Sequence, residues 1–240
     1  MAFPQYLAMT GAEYANAPVH PPHLGWMALH FSAYGTGLSN FPPTLPENAM
    51  LLVNDRTPIS GHDPHLISQQ LQQITQEQNC ACVLLDFQRP GCLETQAVVE
   101  AVLHTLSCPV GVSEHYANGV SSPVFLPPVP LRTPISDHLA PWKDREIWLE
   151  TTNIGEEVTI TPEGTQTRLL QPLESPKDAH YEERFLCHYT IEVADRCIRF
   201  RLFRTPEDQE ALWAAAQTLQ VTQTIGLYQE FSHNENTPQI

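Results

Sequence analysis

Acidic side chains stand at the ends of several apolar, strand-like segments of this 240-residue chain. Parallel α/β folds gather their chemistry at the carboxyl ends of their strands. Carboxylates in such places can move protons or accept hydrogen bonds from hydroxyl groups. Strands also end simply where polarity begins, so a purely structural role for these acids stays open. The acids and the residues beside them form the candidate site: Asp55, Arg56, Asp86, Gln88, Arg89, Glu114, Tyr116, Glu150 and Tyr228.

Flat aromatic side chains near these strand ends could line a sugar-sized cleft. An aromatic face stacks on the apolar face of a sugar ring, and neighbouring carboxylates accept hydrogen bonds from its hydroxyls. The aromatic candidates are Trp26, Tyr34, Tyr116, Trp148 and Tyr228. Trp26 and Trp148 stand in the middle of strand-like segments, so filling the core is an equally good interpretation for both.

Patterns typical of other chemistries are missing from the sequence. The eleven histidines form no His-x-x-x-His pair, and Cys80-Ala-Cys82 has no second cysteine pair. A metal centre is therefore not expected. No Gly-x-Ser-x-Gly and no Gly-x-Gly-x-x-Gly motif occurs, which argues against a serine hydrolase and a nucleotide-binding loop. We expect no cofactor.

Composition narrows the class of partner. Twelve Lys and Arg against 27 Asp and Glu give a net charge of −15, which repels phosphate backbones and argues against nucleic-acid binding. No apolar run approaches the roughly 18–20 residues that span a bilayer, so no membrane partner is expected. No signal peptide is evident at the N-terminus. We therefore expect a cytoplasmic protein in which all six cysteines are reduced.

The first half of the chain alternates strand-like and helical patterns. Residues 1–23 are predicted to be an irregular lead-in. Apolar runs at Leu24–Phe31, Met50–Asn54 and Ala81–Phe87 predict buried parallel strands. Asp63-Pro64 predicts a helix start, and a second helix is expected from Leu93 to Leu106. Val110–Ser113 is the next predicted strand.

The second half shows a different pattern. Val124–Leu126 predicts a short strand and Glu146–Glu150 a better one. Alternating segments on either side of two turns predict antiparallel pairs, with Val158–Thr161 and Thr167–Leu170 as the clearest. A helix starting near Thr205-Pro206 and a final strand at Val221–Leu227 restore the α/β pattern. Residues 232–240 are predicted to be a frayed tail.

These elements predict an α/β fold in one domain covering residues 1–240. We expect an irregular or incomplete (β/α) barrel of the TIM type, with an antiparallel β insertion in its second half. The sequence offers about six or seven parallel strands but only three clear helices, whereas a complete barrel takes about 250 residues. An open doubly wound sheet is the alternative.

Two parts of the chain resemble glycoside hydrolase family 18, which contains chitinases and spore-cortex glucosaminidases. Val83-Leu84-Leu85-Asp86-Phe87-Gln88 is similar to the family's fourth-strand motif, D-x-x-D-x-D-x-E. The segment from Ile198 through the last helix to Tyr228 is similar to the family's closing strand, helix and strand. The resemblance implies a TIM barrel and an amino-sugar glycan as ligand.

The motif is incomplete here. Its first two aspartates fall on Ala81 and Leu84, its third is present as Asp86, and its catalytic glutamate falls on Gln88. In the family that glutamate protonates the leaving oxygen, and the preceding aspartate orients the substrate's N-acetyl group. A carboxamide cannot donate a proton in this way, and general acid catalysis is worth about 10²–10⁴-fold. The resemblance therefore implies impaired catalysis.

Three functions remain open on this basis. The first is a catalytically impaired relative of the family that binds an amino-sugar glycan or a related small ligand. The second is an active hydrolase that uses Asp86 with Glu114 or Glu150. The third is a structural or partner-binding scaffold without catalysis.

Overall fold

Thirteen strands and five α-helices make up the described part of the computed structural model. The structure describes residues 4–55, 59, 61–127, 135–152, 155–161, 164–170, 187–192, 197–202 and 206–228. For Ile135 and for the described residues between 155 and 208, it describes the backbone only. In chain order the strands are β1 (Tyr6–Met9), β2 (Leu24–Phe31), β3 (Leu38–Ser39), β4 (Met50–Asn54), β5 (Cys82–Asp86), β6 (Val110–Ser113), β7 (Val124–Leu126), β8 (Ile147–Glu150), β9 (Gly155–Thr161), β10 (Gly164–Leu170), β11 (Cys187–Glu192), β12 (Cys197–Leu202) and β13 (Val221–Leu227). The helices are α1 (Gly11–Asn16), α2 (Pro64–Glu77), α3 (Leu93–Thr105), α4 (Ile135–Leu139) and α5 (Pro206–Thr218).

Eight of these strands form a closed parallel barrel. Their order around the ring is β1, β13, β8, β7, β6, β5, β4 and β2, and β1 pairs in parallel with both β13 and β2. The short strand β3 adds antiparallel to β2. Because the ring is closed, the open doubly wound alternative is wrong. The strands predicted at Leu24–Phe31, Met50–Asn54, Ala81–Phe87, Val110–Ser113, Val124–Leu126, Glu146–Glu150 and Val221–Leu227 all lie in this one sheet.

Side chains that alternate along the strands fill the barrel. Leu52, Leu84, Phe125 and Trp148 belong to one cluster of buried residues drawn from different strands. Trp148 is fully buried and is the largest of the fully buried side chains. Gly111 on β6 makes room for it, since a Cβ atom there would lie 2.2 Å from Cε3 of Trp148. The interior of the barrel, up to the last residues of its strands, is therefore a packed apolar core.

A second core lies between the outer face of the barrel and the helices. The α2 helix begins as its sequence predicts, because Asp63 caps it by accepting a hydrogen bond of 2.9 Å from the backbone N–H of His65. It buries Ile67, Leu71 and Ile74, spaced by four and three residues. The α3 helix packs beside it and buries Val98, Val99 and Val102 on the same core.

Between β8 and β13 the chain forms four antiparallel strands. Their order is β10, β9, β12 and β11. Gly164–Leu170 pairs with Gly155–Thr161 in a hairpin, and Cys197–Leu202 pairs with both β9 and β11.

Two expectations about the barrel need correction. The irregular lead-in predicted for residues 1–23 is wrong, because Tyr6–Met9 is the first barrel strand and Gly11–Asn16 is helical. A strand of four buried residues is too short to show a period in the sequence. The barrel is also complete in its strands rather than incomplete. Its irregularity lies in the helices: within the described ranges, only α2, α3 and α5 are longer than six residues. The predicted frayed tail, 232–240, lies outside the described residues.

We predict that Gly111→Ala destabilises the fold by about 1–3 kcal/mol, because the added methyl group overpacks the barrel against Trp148. The matched control is Gly11→Ala, whose Cβ would meet Trp26 at an ordinary 3.5 Å. Urea denaturation of both variants measures the free energy of unfolding. Equal stabilities for the two variants would contradict the packing described here.

Candidate functional site

Three polar side chains form the top layer of the barrel interior. Met50 and Leu52 face inward on β4, and Cys82 and Leu84 face inward on β5. Alternation therefore turns Asn54 and Asp86 inward as well. These two are register partners at the carboxyl ends of their strands. Glu150 follows the inward-facing Trp148 on β8 in the same way.

Asp86 and Gln88 contact each other at this mouth. The side-chain amide Nε2–H of Gln88 donates a hydrogen bond to Oδ1 of Asp86. Asp86 is half-buried, whereas Gln88 is exposed. The two motif positions singled out in the sequence thus form one polar pair. A carboxamide paired in this way supplies hydrogen bonds but no acidic proton.

The segment that carries Gln88 is held by side chains from both neighbouring strands. Asp55, only 5% exposed, accepts hydrogen bonds from the backbone N–H groups of Gln88 (3.1 Å) and Arg89 (2.9 Å). From the other side, Oγ of Ser113 accepts a bond of 2.8 Å from the N–H of Phe87 and donates one of 2.9 Å to the carbonyl of Leu85. The sequence predicts that Asp55 binds ligand. In the structure, both of its carboxylate oxygens accept hydrogen bonds from backbone N–H groups.

Tyr116 holds the far end of the same loop. Its hydroxyl donates to the carbonyl of Arg89 and accepts a bond of 3.3 Å from the backbone N–H of Cys92. Its ring is 3% exposed and meets Phe87 edge to face at a centroid distance of 6.3 Å. Tyr116 therefore positions this loop. We call residues 87–92 the β5–α3 loop.

The other predicted site residues are more scattered. The exposed side chain of Arg89 and the half-buried carboxylate of Glu114 lie on the segments that follow β5 and β6. Tyr228 is half-buried, packs against the outer core and donates its backbone N–H to the carbonyl of Ala8 at 2.9 Å. Arg56 lies outside the described residues.

A cavity of about 670 Å³ opens at the same end of the barrel. It lies at the carboxyl ends of β1, β2 and β4, and the start of α1 and the segment after β3 form its walls. The volume lies within the roughly 300–1,000 Å³ of small-molecule sites. Its lining residues are Thr10, Gly11, Ala12, Trp26, Met27, Ala28, His30, Asn40, Phe41 and Asn54. Asn54 connects the cavity with Asp86, its register partner on β5.

A bulge in β2 shapes one wall of this cavity. Between Trp26 and Leu29 the strand carries one residue more than the facing stretch of β4. Nδ2 of Asn54 donates to the carbonyls of Met27 and Leu29, both at 3.3 Å. The Asn54 carboxamide therefore hydrogen-bonds the carbonyls on both sides of Ala28.

Polar groups from β2 and the segment after β3 complete the wall. The indole N–H of Trp26 donates to the carbonyl of Asn40 at 3.1 Å. Nδ1 of His30 lies within hydrogen-bond distance of the carbonyl of Ala28, at 2.9 Å, and 3.4 Å from Nδ2 of Asn40. Asn40 has a backbone φ of 57°, a conformation that asparagine tolerates better than most residues.

The cavity differs from the site that the sequence suggested. Of the aromatic candidates, Trp26 lines it, whereas Trp148 fills the barrel core and Tyr34 is 89% exposed. Sequence reasoning missed His30, Asn40, Phe41 and Thr10, which form no motif and meet only through the fold. Asn54 carried a signal, because it is a polar residue at the end of an apolar strand.

Thiols cluster at the opposite, amino-terminal end of the barrel. Cys82 is buried within β5 beside Tyr6, and its Sγ lies 3.9 Å from the tyrosine hydroxyl. Burial raises the pKa of Cys80 and of Cys82 to about 12, and it also raises the pKa of Cys108. These three and Cys92 are free thiols. The described residues contain no group of three or more His, Cys, Asp or Glu placed to hold a metal ion.

No family model and no curated protein matches this chain. Within the described part of the chain, no helix has the length and apolar character needed to cross a membrane.

We predict that Asp55→Ala destabilises the protein by about 2–4 kcal/mol, because it removes the acceptor of two backbone N–H groups in the β5–α3 loop. Asp55→Asn keeps one acceptor oxygen and should lose less. Urea denaturation measures both variants against wild type. If Asp55→Ala unfolds at the wild-type urea concentration, the carboxylate does not hold the loop.

We also predict slow alkylation of Cys82 in the native protein. With a pKa of about 12, its thiolate fraction at pH 8 is roughly a thousandfold below that of an ordinary thiol. The rate with iodoacetamide should therefore keep rising with pH through pH 10, as followed by mass spectrometry. The unfolded chain, in which burial is lost, serves as the control. A native rate that levels off near pH 9 would rule out the raised pKa.

Proposed function

We propose that this protein binds an amino-sugar glycan, or a related small ligand, at the carboxyl-terminal mouth of its barrel without hydrolysing it. The observation that carries the proposal is the Asp86–Gln88 pair. A carboxamide stands where the family 18 motif has its acid, and it donates to the remaining aspartate. In this proposal the four antiparallel strands β9–β12 are an insertion into a divergent family 18-like barrel.

The surroundings of Asp86 support a site without proton transfer. Leu84, two residues before Asp86, is fully buried in the apolar core of the barrel together with Phe125 and Trp148. In the family motif this position is an aspartate. Apolar packing below Asp86 leaves no carboxylate at that position to pass a proton. The general acid contribution of about 10²–10⁴-fold is lost separately, because Gln88 stands at the position of the acid.

The β5–α3 loop supports the binding half of the proposal. Asp55, Ser113 and Tyr116 fix its backbone from three sides, so its side chains are presented on a rigid segment. Preorganised groups lose little conformational entropy when a ligand binds. Gln88 offers a hydrogen-bonding amide, and Arg89 beside it offers a guanidinium group. Both suit the hydroxyl and acetamido groups of an amino sugar.

An active hydrolase is the second candidate function, because Asp86 and Glu150 both belong to the top layer of the barrel interior. A pair of carboxyl groups about 5–5.5 Å apart suits a retaining mechanism, and one about 6.5–9.5 Å apart suits an inverting mechanism. Glu114, on the segment that follows β6, is the other partner to test. Activity that requires Asp86 together with Glu114 or Glu150 would favour this candidate.

We predict little or no hydrolysis of fluorogenic chitooligosaccharides by wild-type protein and measurable turnover by Gln88→Glu. The substitution restores a carboxylic acid beside Asp86, although Ala81 and Leu84 will keep the rate low. The matched control is Gln69→Glu, which adds the same charge on an exposed face of α2. Binding of N-acetylglucosamine oligomers to wild type is measured by calorimetry.

Each result bears on one part of the proposal. Robust wild-type turnover that survives Asp86→Ala would place the chemistry elsewhere and end the family-based assignment. Wild-type turnover that Asp86→Ala and Glu150→Gln both abolish would favour the hydrolase instead. Absence of both binding and turnover would leave the scaffold interpretation.

A further inference from the structure

We infer that the cavity at the ends of β1, β2 and β4 binds one uncharged, ring-shaped ligand that carries hydroxyl or amide groups. Phe41 provides exposed aromatic surface at its rim, the buried Trp26 forms part of its wall, and Asn40, Asn54 and His30 provide hydrogen-bonding groups. This inference names the ligand class for the mouth of the barrel. It rests on the proposed function in one respect only, which is the identification of the ring-shaped ligand as a sugar.

The charge of the lining selects an uncharged ligand. Among the described residues that line the cavity there is no Asp, Glu, Lys or Arg, although the chain as a whole carries −15. A charged group placed in this cavity would lose water without gaining an ionic partner. Burying an unpaired charge is far more costly than burying a hydrogen-bonded neutral group. The cavity therefore favours neutral ligands over their charged analogues.

The polar groups of the lining suit hydroxyl and amide partners. A carboxamide such as that of Asn40 both donates and accepts hydrogen bonds. The imidazole of His30, which also lines the cavity, adds a further hydrogen-bonding group. Asn54 carries a second carboxamide into the lining. Hydroxyl and acetamido groups meet such a mixture of donors and acceptors without needing a charge.

The aromatic groups favour a ring over a flexible chain. Trp26 is 4% exposed, and its ring is held by the bond to Asn40 and by an edge-to-face contact with Tyr14 at a centroid distance of 5.7 Å. Phe41 is 50% exposed although it is large and apolar. An exposed aromatic at the rim of a cavity gains from covering a flat ligand face.

Binding of four small probes tests the inference by calorimetry at pH 7.0. N-acetylglucosamine is neutral, glucosamine carries an ammonium group, glucuronic acid carries a carboxylate, and nicotinamide is a neutral aromatic amide. We expect the neutral sugar to bind at least tenfold more tightly than either charged sugar. Phe41→Ala should weaken this binding about tenfold. The control Leu93→Ala, which truncates an 82% exposed side chain on α3, should leave it unchanged.

A change of charge at the rim gives a second, independent test. Asparagine and aspartate have nearly the same shape, and aspartate also tolerates a positive φ. Asn40→Asp should therefore keep the fold while adding a carboxylate to the cavity. We expect this variant to bind glucosamine at least tenfold more tightly than wild type does and to bind N-acetylglucosamine more weakly.

The outcomes separate this inference from the proposed function. If N-acetylglucosamine binds equally to wild type and Phe41→Ala but more weakly to Gln88→Ala, the cavity is not its site and the proposed function stands. If nicotinamide is the only probe that binds, and Phe41→Ala weakens its binding, the assignment of the cavity as a ligand site stands. The identification of the ligand as a sugar is then wrong. Charged probes that bind as tightly as the neutral ones, or no binding of either neutral probe, would overturn the inference.

Discussion

Backbone hydrogen bonding along both edges of Tyr6–Met9 turns the sheet into a ring. Without β1, strand β13 and the first part of β2 would present unpaired edges, and the interior cluster would lose Tyr6 and Ala8. Because all eight strands of the ring run parallel, closure also gathers their carboxyl ends at one mouth. Asn54, Asp86 and Glu150 share a layer only for this reason. The cavity likewise depends on β1, since Thr10 follows that strand directly.

Much of the barrel could be predicted from the sequence, and the parts that were missed have a common physical cause. Long apolar runs such as Leu24–Phe31, or a helix with a clear cap such as that of Asp63, carry their structure in local pattern. Tyr6–Met9 is only four residues long, and it is a strand because two distant neighbours pair with it. Closure is therefore a tertiary property that no short window of sequence shows.

The candidate site likewise has a part that the sequence predicts and a part that it does not. The Asp86–Gln88 contact followed from strand geometry, since residues two apart point to one side. The role of Asp55 did not follow, because both of its acceptor oxygens are used by a loop more than thirty residues away in the chain. The bulge between Trp26 and Leu29 was equally hidden, as register is set by the neighbouring strand. Types and spacing indicated the mouth of the barrel, but packing decided which residues share a cavity.

The way in which the β5–α3 loop is held has a consequence for how this surface can change over evolutionary time. Its backbone is fixed by Asp55, Ser113 and Tyr116, all of which belong to other segments of the chain. The hydrogen bonds that hold Gln88 and Arg89 in place use their backbone N–H groups, and their side chains are exposed. Substitutions at these positions can therefore alter the chemistry displayed at the mouth while the framework stays intact. Side-chain changes in this loop can therefore create new ligand specificity with little loss of folding stability. For the same reason, a library of engineered variants would start with these positions.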